Sequence, residues 1–110
     1  LRGAALVQGP MFVMRIRERL GMVPVTESHP KALLLALGAN GVGAFSQLYG
    51  VATRHLGGEE DVRDAAIAAV CAREGFSGRW LIDLSRERWA SEQDPSRHWL
   101  GPVSYFWPRL

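Results

Sequence analysis

Two aspartates, Asp61 and Asp64, stand three residues apart at the start of the segment 59–74, EEDVRDAAIAAVCARE, whose composition is typical of a helix. Residues three apart on a helix face the same side, so the two carboxylates are expected to lie together. Neighbouring carboxylates repel unless a cation lies between them or one is protonated. Because hard cations such as Mg²⁺ take carboxylate oxygens, the pair is a candidate metal site. The alternative is that both acids only complement the helix dipole, which is worth about 0.3–1 kcal/mol each.

Small side chains continue the side of this helix that carries the aspartates. Ala65, Ala68 and Ala72 follow Asp64 at helical spacing. Alanines allow another backbone to approach closely, so this side is predicted to face packed structure, with both carboxylates at its margin. The pair would then be accessible at the edge of the core.

Glu27 is a third candidate, because it closes a short apolar, β-branched segment predicted to be a strand. In open α/β folds, ligands bind at the carboxyl ends of strands. The alternative is a solvated glutamate at the strand end. His29 follows beside Pro30 and is interpreted as a helix-cap residue rather than a ligand. His55 and His98 lack partners at metal-site spacing and are interpreted as surface residues.

Composition indicates one globular domain over residues 1–110, with 47% hydrophobic and 22% charged residues. The net charge of +2 is too small to indicate nucleic acid by itself. Lys31 is the only lysine beside twelve arginines. Arginine favours phosphate or carboxylate contacts, but the codon bias of a GC-rich genome is the preferred explanation. Cys71 is the only cysteine and is predicted to be buried and inert, which fits the reducing cytoplasm. The longest uncharged run contains four glycines, so no membrane span is predicted.

The elements that must position these acids are predicted from apolar spacing and from glycine and proline punctuation. A helix is expected from Pro10 to Gly21, then a strand in 22–27. A second helix is expected from Pro30 to Gly38, with Leu33, Leu34 and Leu37 on its buried side. A third is expected in 44–58, and the helix of Asp61 and Asp64 stops at Gly75.

The last third of the chain contains all four tryptophans and is β-prone in places. The segment 79–84, RWLIDL, is predicted to be a strand or the start of a helix running to Trp89. The segment 103–108, VSYFWP, is predicted to be a strand. One strand cannot form a sheet, so three alternatives stand: the last third supplies strands, the chain is part of a larger α/β fold, or a partner completes the sheet. The aromatic residues either complete the core or mark an interface.

Two stretches together resemble an uncharacterised group of predicted ribonuclease-H-like nucleases, related in fold to Holliday-junction resolvases. The first is VTESHPKALLLALG, where a strand ends in Glu27 before Pro30 and an amphipathic helix. The second is EEDVRDAAIAAVCARE, where Asp61, two residues and then Asp64 and Ala65 match an acidic helix start. The resemblance spans about residues 10–108, with gaps. It implies a partial ribonuclease-H-like α/β fold with helices packed on a small sheet.

The resemblance also implies a divalent-metal site, with Asp64 as a ligand, Asp61 beside it and Glu27 as a further catalytic contributor. The chain lacks the family's first strands and their acids, since Glu18 is the only acid before Glu27. We therefore expect weak Mg²⁺ or Mn²⁺ binding at most and no nuclease activity in this chain, which is expected to be a fragment or a stand-alone half. Nucleic acid is a candidate partner through the resemblance. The rival hypothesis is a non-catalytic interaction or homo-oligomeric assembly module, and we expect a dimer.

Overall fold

The chain folds into a mixture of helices and a small sheet. The computed structural model describes residues 2–86 and 103–110, with side chains from residue 11 onward. The helices are α1 (Arg2–Leu20), α2 (Pro30–Ala36), α3 (Gly41–Tyr49), α4 (Thr53–Leu56) and α5 (Glu60–Phe76); the strands are β1 (Thr26–Glu27), β2 (Ile82–Asp83) and β3 (Ser104–Trp107), and a 3₁₀ turn spans Leu84–Arg86. The predicted α/β class is confirmed.

The sheet has β3 at its centre, in the order β1-β3-β2. β1 pairs with β3 in parallel, which sets Glu27 opposite Tyr105. β2 pairs with β3 in antiparallel orientation, which sets Asp83 opposite Phe106. Two of the three strands therefore come from the last third of the chain, as the first of the three alternatives predicted.

The start of α1 differs from the prediction, because the helix begins at Arg2 and not at Pro10. An interior proline removes one backbone hydrogen bond and crowds the preceding turn. The segment before it, RGAALVQG, contains alanine, leucine and glutamine, which have high helix propensity. Gly21 ends the helix as predicted, with a φ of 77°.

The third predicted helix is wrong as a continuous element, because it breaks into α3 and α4. Gly50 adopts the left-handed conformation with a φ of 68° and caps α3. The hydroxyl of Ser46 donates to the carbonyl of Val51 at 2.6 Å and fixes the chain beyond the break. Glycine reaches this backbone conformation without the steric cost other residues meet.

The core lies between the helices, and among the described residues seven buried side chains form it: Leu33, Phe45, Leu56, Ile67, Val70, Cys71 and Trp80. Leu33 is buried and Leu34 and Leu37 pack against the core at half burial, so the predicted buried side of α2 is confirmed. Burial of Cys71 is also confirmed. Trp80 and Trp107 contribute to the core, whereas Trp89 and Trp99 lie outside the described residues.

The buried side of α5 differs from the predicted alanine side. Ile67, Val70 and Cys71 are buried, whereas Ala65 is exposed and the other two predicted alanines are half-buried. A larger apolar side chain removes more surface from water, so burying it lowers the free energy more than burying alanine. The helix turns accordingly, and Gly75 lies directly against the ring of Phe106 on β3.

No single described helix is long and apolar enough to cross a membrane. Taken together, α2 and α3 reach that length and apolarity, but the chain bends by 96° between them.

Candidate functional site

The start of α5 is acidic and lies at the surface. Glu59 occupies the N-cap position in an extended conformation, and its side chain does not cap the helix. Asp61 is exposed, and the Asp64 side chain is 31% exposed. The prediction that both carboxylates lie at the margin of packed structure is therefore met by Asp64, while Asp61 faces solvent.

Two cations neutralise part of this acidic surface. The guanidinium of Arg63 donates to Oδ1 of Asp64 from Nε at 3.3 Å and from Nη2 at 3.2 Å. The same Nη2 lies 3.8 Å from Glu60 Oε1. Lys31, reaching across from α2, pairs with Glu60. The carboxylate that the family resemblance assigns to a metal is thus already in contact with a cation of the chain itself.

The Lys31–Glu60 pair joins α2 to α5 on the protein surface. The hydrogen bond and the charge of Glu60 raise the pKa of Lys31, and Lys31 in turn lowers the pKa of Glu60. Both groups are fully charged near neutral pH, so their pairing persists there. Because both side chains are well exposed, water and salt screen the attraction, and its contribution to stability is small.

Glu27 sits at the end of β1, and β1 packs against α5. The structure therefore brings the strand of Glu27 into contact with the helix of Asp61 and Asp64. Glu27 is exposed and opposes Tyr105 on the neighbouring strand. Burial, with a smaller effect from the carboxylate of Glu27, raises the pKa of Tyr105.

Among residues 2–86 and 103–110, no group of three or more histidines, cysteines, aspartates or glutamates is arranged to hold a metal ion. The three sequence candidates are distributed over one strand end and one helix start. Two of them lie on the same helix, where Arg63 rather than another acid accompanies Asp64.

A cavity of about 680 Å³ opens beside the acidic start of α5. Its walls come from α2, from the turn into α3 and from the first turn of α5. Leu34 and Leu35 supply apolar surface, and Lys31, Glu60 and Arg63 supply charge. Because the charged residues pair with one another and with Asp64, the cavity offers a mixed apolar and polar wall and no concentrated charge of either sign.

His29 precedes α2 at its N-cap position, as the sequence predicts, although its side chain makes no capping hydrogen bond. The imidazole instead stacks on the ring of Tyr105, with centroids 5.2 Å apart and planes 13° from parallel. This contact links the start of α2 to the central strand and fixes the position of the loop that follows Glu27.

Glu74 is a buried acid that the sequence interpretation missed. Its side chain is only 8% exposed, and two arginines bind it: Arg73 donates to Oε1 from Nε at 3.1 Å and from Nη2 at 2.9 Å, and Arg79 pairs with Oε2. The hydrogen bond from Arg79, with help from Arg73, lowers the pKa of Glu74 against the opposing effect of burial. The signal in the sequence was the pair of arginines one and five residues away.

The backbone carbonyl of Glu74 also accepts hydrogen bonds. Its carbonyl accepts from the amides of Arg79 at 3.0 Å and Trp80 at 2.9 Å. Arg73 also donates to the Tyr49 carbonyl at 3.1 Å, which connects the end of α5 to the end of α3. The buried carboxylate of Glu74 is thus bound by two guanidiniums within the fold, so the cluster serves stability.

Asp83 is a second missed acid. Its Oδ1 accepts from the Ser85 amide at 3.0 Å, the Ser85 hydroxyl at 2.6 Å and the Tyr105 amide at 2.8 Å. Burial alone raises the pKa of Asp83, but the hydrogen bonds from Ser85 and the Tyr105 amide outweigh it, and the pKa lies below its usual value. An aspartate two residues before a serine is a known turn signal, which could have identified it.

Comparisons with protein-family models, with curated proteins and with solved structures found no match.

Proposed function

We propose that this chain is a non-catalytic assembly module rather than a working nuclease. One observation carries the proposal: the Asp64 carboxylate, the family's expected metal ligand, is held by two nitrogens of Arg63. A divalent cation would have to displace that guanidinium or share the carboxylate with it. Like charges at this distance repel, so the arrangement weakens metal binding where catalysis would need it.

The ancestry that we propose is ribonuclease-H-like. The order of elements supports it: a strand ending in Glu27, an amphipathic helix, and later an acidic helix that packs on that strand. Glu27, Asp61 and Asp64 would be the surviving contributors to the site. With few carboxylates offered, Mg²⁺ or Mn²⁺ would bind weakly and mostly through water.

The second candidate function is divalent-metal-dependent phosphodiester hydrolysis with nucleic acid as substrate. The contact between β1 and α5 favours it, because it puts Glu27 and the aspartates on neighbouring elements. In that mechanism the metal supplies activation of water and stabilisation of the leaving oxygen. We extend either proposal to a cytoplasmic location, because the single cysteine is unpaired and buried.

Exposed apolar side chains support the assembly role. Met11, Phe12, Met14 and Leu20 on α1 and Leu35 on α2 are each about half exposed or more. Single exposed apolar residues are ordinary, but their concentration on one helix is typical of an interaction surface. An assembly module uses such a surface to bind a partner, and no bond is made or broken.

The deciding experiment measures cleavage and metal binding on the full chain. Purified protein is incubated with single-stranded, duplex and junction DNA and with RNA, with Mg²⁺ or Mn²⁺. We expect no cleavage above the buffer blank, and metal affinity by calorimetry no tighter than millimolar. Cleavage that needs Mg²⁺ and disappears in Asp64→Asn would overturn the proposal and favour the nuclease.

A pair of variants tests whether the guanidinium of Arg63 weakens metal binding at Asp64. Arg63→Gln removes the guanidinium from Asp64 and should raise Mn²⁺ affinity several-fold. Arg54→Gln is the matched control, since Arg54 is an exposed arginine on another helix, and it should leave Mn²⁺ affinity unchanged. Equal affinity in all three proteins would show that Arg63 does not limit metal binding.

A further inference from the structure

One side of α1 combines exposed apolar side chains with two arginines. Phe12, Ile16 and Leu20 recur every four residues, and Arg15 and Arg19 border the same concavity of about 350 Å³. Phe12 is 66% exposed and Leu20 is 68% exposed. In the part of the chain that the structure describes, no carboxylate pairs with Arg15 or Arg19. We call these five residues the arginine face.

The start of α5 presents a surface of the opposite charge. Glu59 and Asp61 are exposed, and no described cation pairs with either. Their acidic neighbours are already matched by the two cations described above, so two negative charges remain unmatched here. Apolar surface adjoins them: Val62, which is 51% exposed, follows Asp61, and Leu35, which is 81% exposed, lines the neighbouring cavity with Glu60. We call Leu35, Glu59, Asp61 and Val62 the acidic face.

We propose that two copies of this chain associate by placing the arginine face of one copy against the acidic face of the other. This deepens the proposed assembly function and rests on it. Two unmatched cations one helical turn apart meet two unmatched carboxylates, and apolar side chains accompany both pairs. Charge complementarity of this kind orients association, and the apolar contacts supply burial.

A closed dimer uses both faces of both copies. If α1 of each copy binds the other copy, the contact occurs twice about a two-fold axis and no face is left open. An anionic lipid surface or a nucleic acid would match Arg15 and Arg19 only. It would leave Glu59 and Asp61 unmatched, so a second copy matches more of the exposed charge.

Paired charge reversal tests the contact on the full chain. One variant carries Arg15→Glu with Arg19→Glu, and the other carries Glu59→Lys with Asp61→Lys. We expect the unaltered chain to have twice the 12.2 kDa chain mass by light scattering. Each variant alone sets like charges together in both contacts, and its dimer dissociation constant should rise by about 100-fold or more. Mixing the two variants restores opposite charges in both contacts and should restore the dimer.

The matched control is Arg54→Glu with Arg109→Glu, which reverses two exposed arginines outside both faces. It should dimerise like the unaltered chain, and circular dichroism should show that every variant keeps its helix content. A monomeric unaltered chain, a dimer that both reversals leave intact, or variants that do not recover on mixing would each overturn the contact. Binding to anionic vesicles by a monomer would assign the arginine face to lipid and overturn it too.

These outcomes separate the two proposals. A monomer without nuclease activity would overturn the self-association contact and leave the non-catalytic proposal standing. A dimer with metal-dependent cleavage would support the self-association contact and overturn the non-catalytic proposal. The unaltered chain could also form assemblies larger than a dimer that the same charge reversals dissociate. That result would support the contact between the two faces and overturn the two-fold closed dimer.

Discussion

At the scale of single residues, the acids of this chain divide by what surrounds them. Asp64 has a guanidinium beside it, and Asp61 faces solvent. Glu74 and Asp83 are mostly buried, and several donors bind each carboxylate. The buried pair therefore contributes to folding, whereas Asp61 of the surface pair remains available to a cation or a partner.

Burial also determines the chemistry of Cys71. Removal from water raises the pKa of its thiol to about 11, because the charged thiolate loses solvation. At neutral pH almost none of it is thiolate, which is the reactive form. Its burial is confirmed, and its inertness toward thiol reagents stays a prediction.

Glu74→Gln should destabilise the fold. The amide keeps an acceptor oxygen, but it loses the charge that binds Arg73 and Arg79. Because those arginines are about half exposed, water recovers part of the loss, and we expect about 1–2 kcal/mol less free energy of unfolding. Urea unfolding measures it. Glu18→Gln, an exposed glutamate on α1, is the control and should leave the midpoint in place; equal midpoints for both variants would contradict a stabilising role.

At the scale of elements, the contact between α5 and β3 depends on a glycine. A side-chain carbon added at Gly75 would overlap the ring of Phe106, which also packs edge-on against Phe76 with centroids 5.0 Å apart. The helix and the sheet can lie this close only because position 75 has no side chain. The sequence predicted that the alanine side of α5 would pack closely against another element, but the close contact is made at Gly75 instead.

Gly75→Ala should therefore destabilise, against the usual trend. In an unobstructed helix, alanine is favoured over glycine by up to about 1 kcal/mol. Here the overlap with Phe106 forces the helix and sheet apart, and overpacking costs about 1–3 kcal/mol. Thermal unfolding decides the sign. Gly58→Ala meets nothing closer than the Arg54 carbonyl at 3.9 Å and should be neutral or slightly stabilising; a raised melting temperature for Gly75→Ala would contradict the close contact.

At the scale of the whole molecule, stability should fall in acid. The folded-state pKa values of Glu74 and Asp83 lie below their usual values of 4.5 and 3.8. A carboxyl group with a depressed folded pKa contributes its full stability above the unfolded pKa, and the contribution is lost as pH falls through the folded one. Stability should therefore stay level from neutral pH to about 5 and decline below it.

Unfolding midpoints measured between pH 3 and 7 test this. The fall of the unfolding midpoint with decreasing pH should be shallower in Glu74→Gln, because that variant has one fewer group to protonate. Glu18→Gln again serves as the control, and its unfolding midpoint should fall with pH as that of the unaltered chain does. A variant curve parallel to that of the unaltered chain would show that Glu74 does not contribute to the acid dependence.

Elements that depend on local chemistry could be predicted from the sequence. Pro30 began α2, Gly21 ended α1, and the leucine spacing of α2 identified Leu33 as a core residue. Backbone restriction by proline, positive φ at glycine and apolar periodicity all act within a few residues of chain. The β-prone segment 103–108 likewise supplied β3 as predicted.

Contacts between residues far apart in the chain could not be predicted in this way, because they depend on long-range packing. The sheet order joins β1 to a strand 78 residues later, and no local pattern states that pairing. The orientation of α5 followed the larger side chains Ile67 and Val70, because burial energy grows with apolar area and overrode the alanine pattern. The spacing of Asp64 from Asp61 was likewise visible in the sequence, but adjacent residues on a helix do not ordinarily face each other, so the contact between Arg63 and Asp64 was seen only in the folded structure.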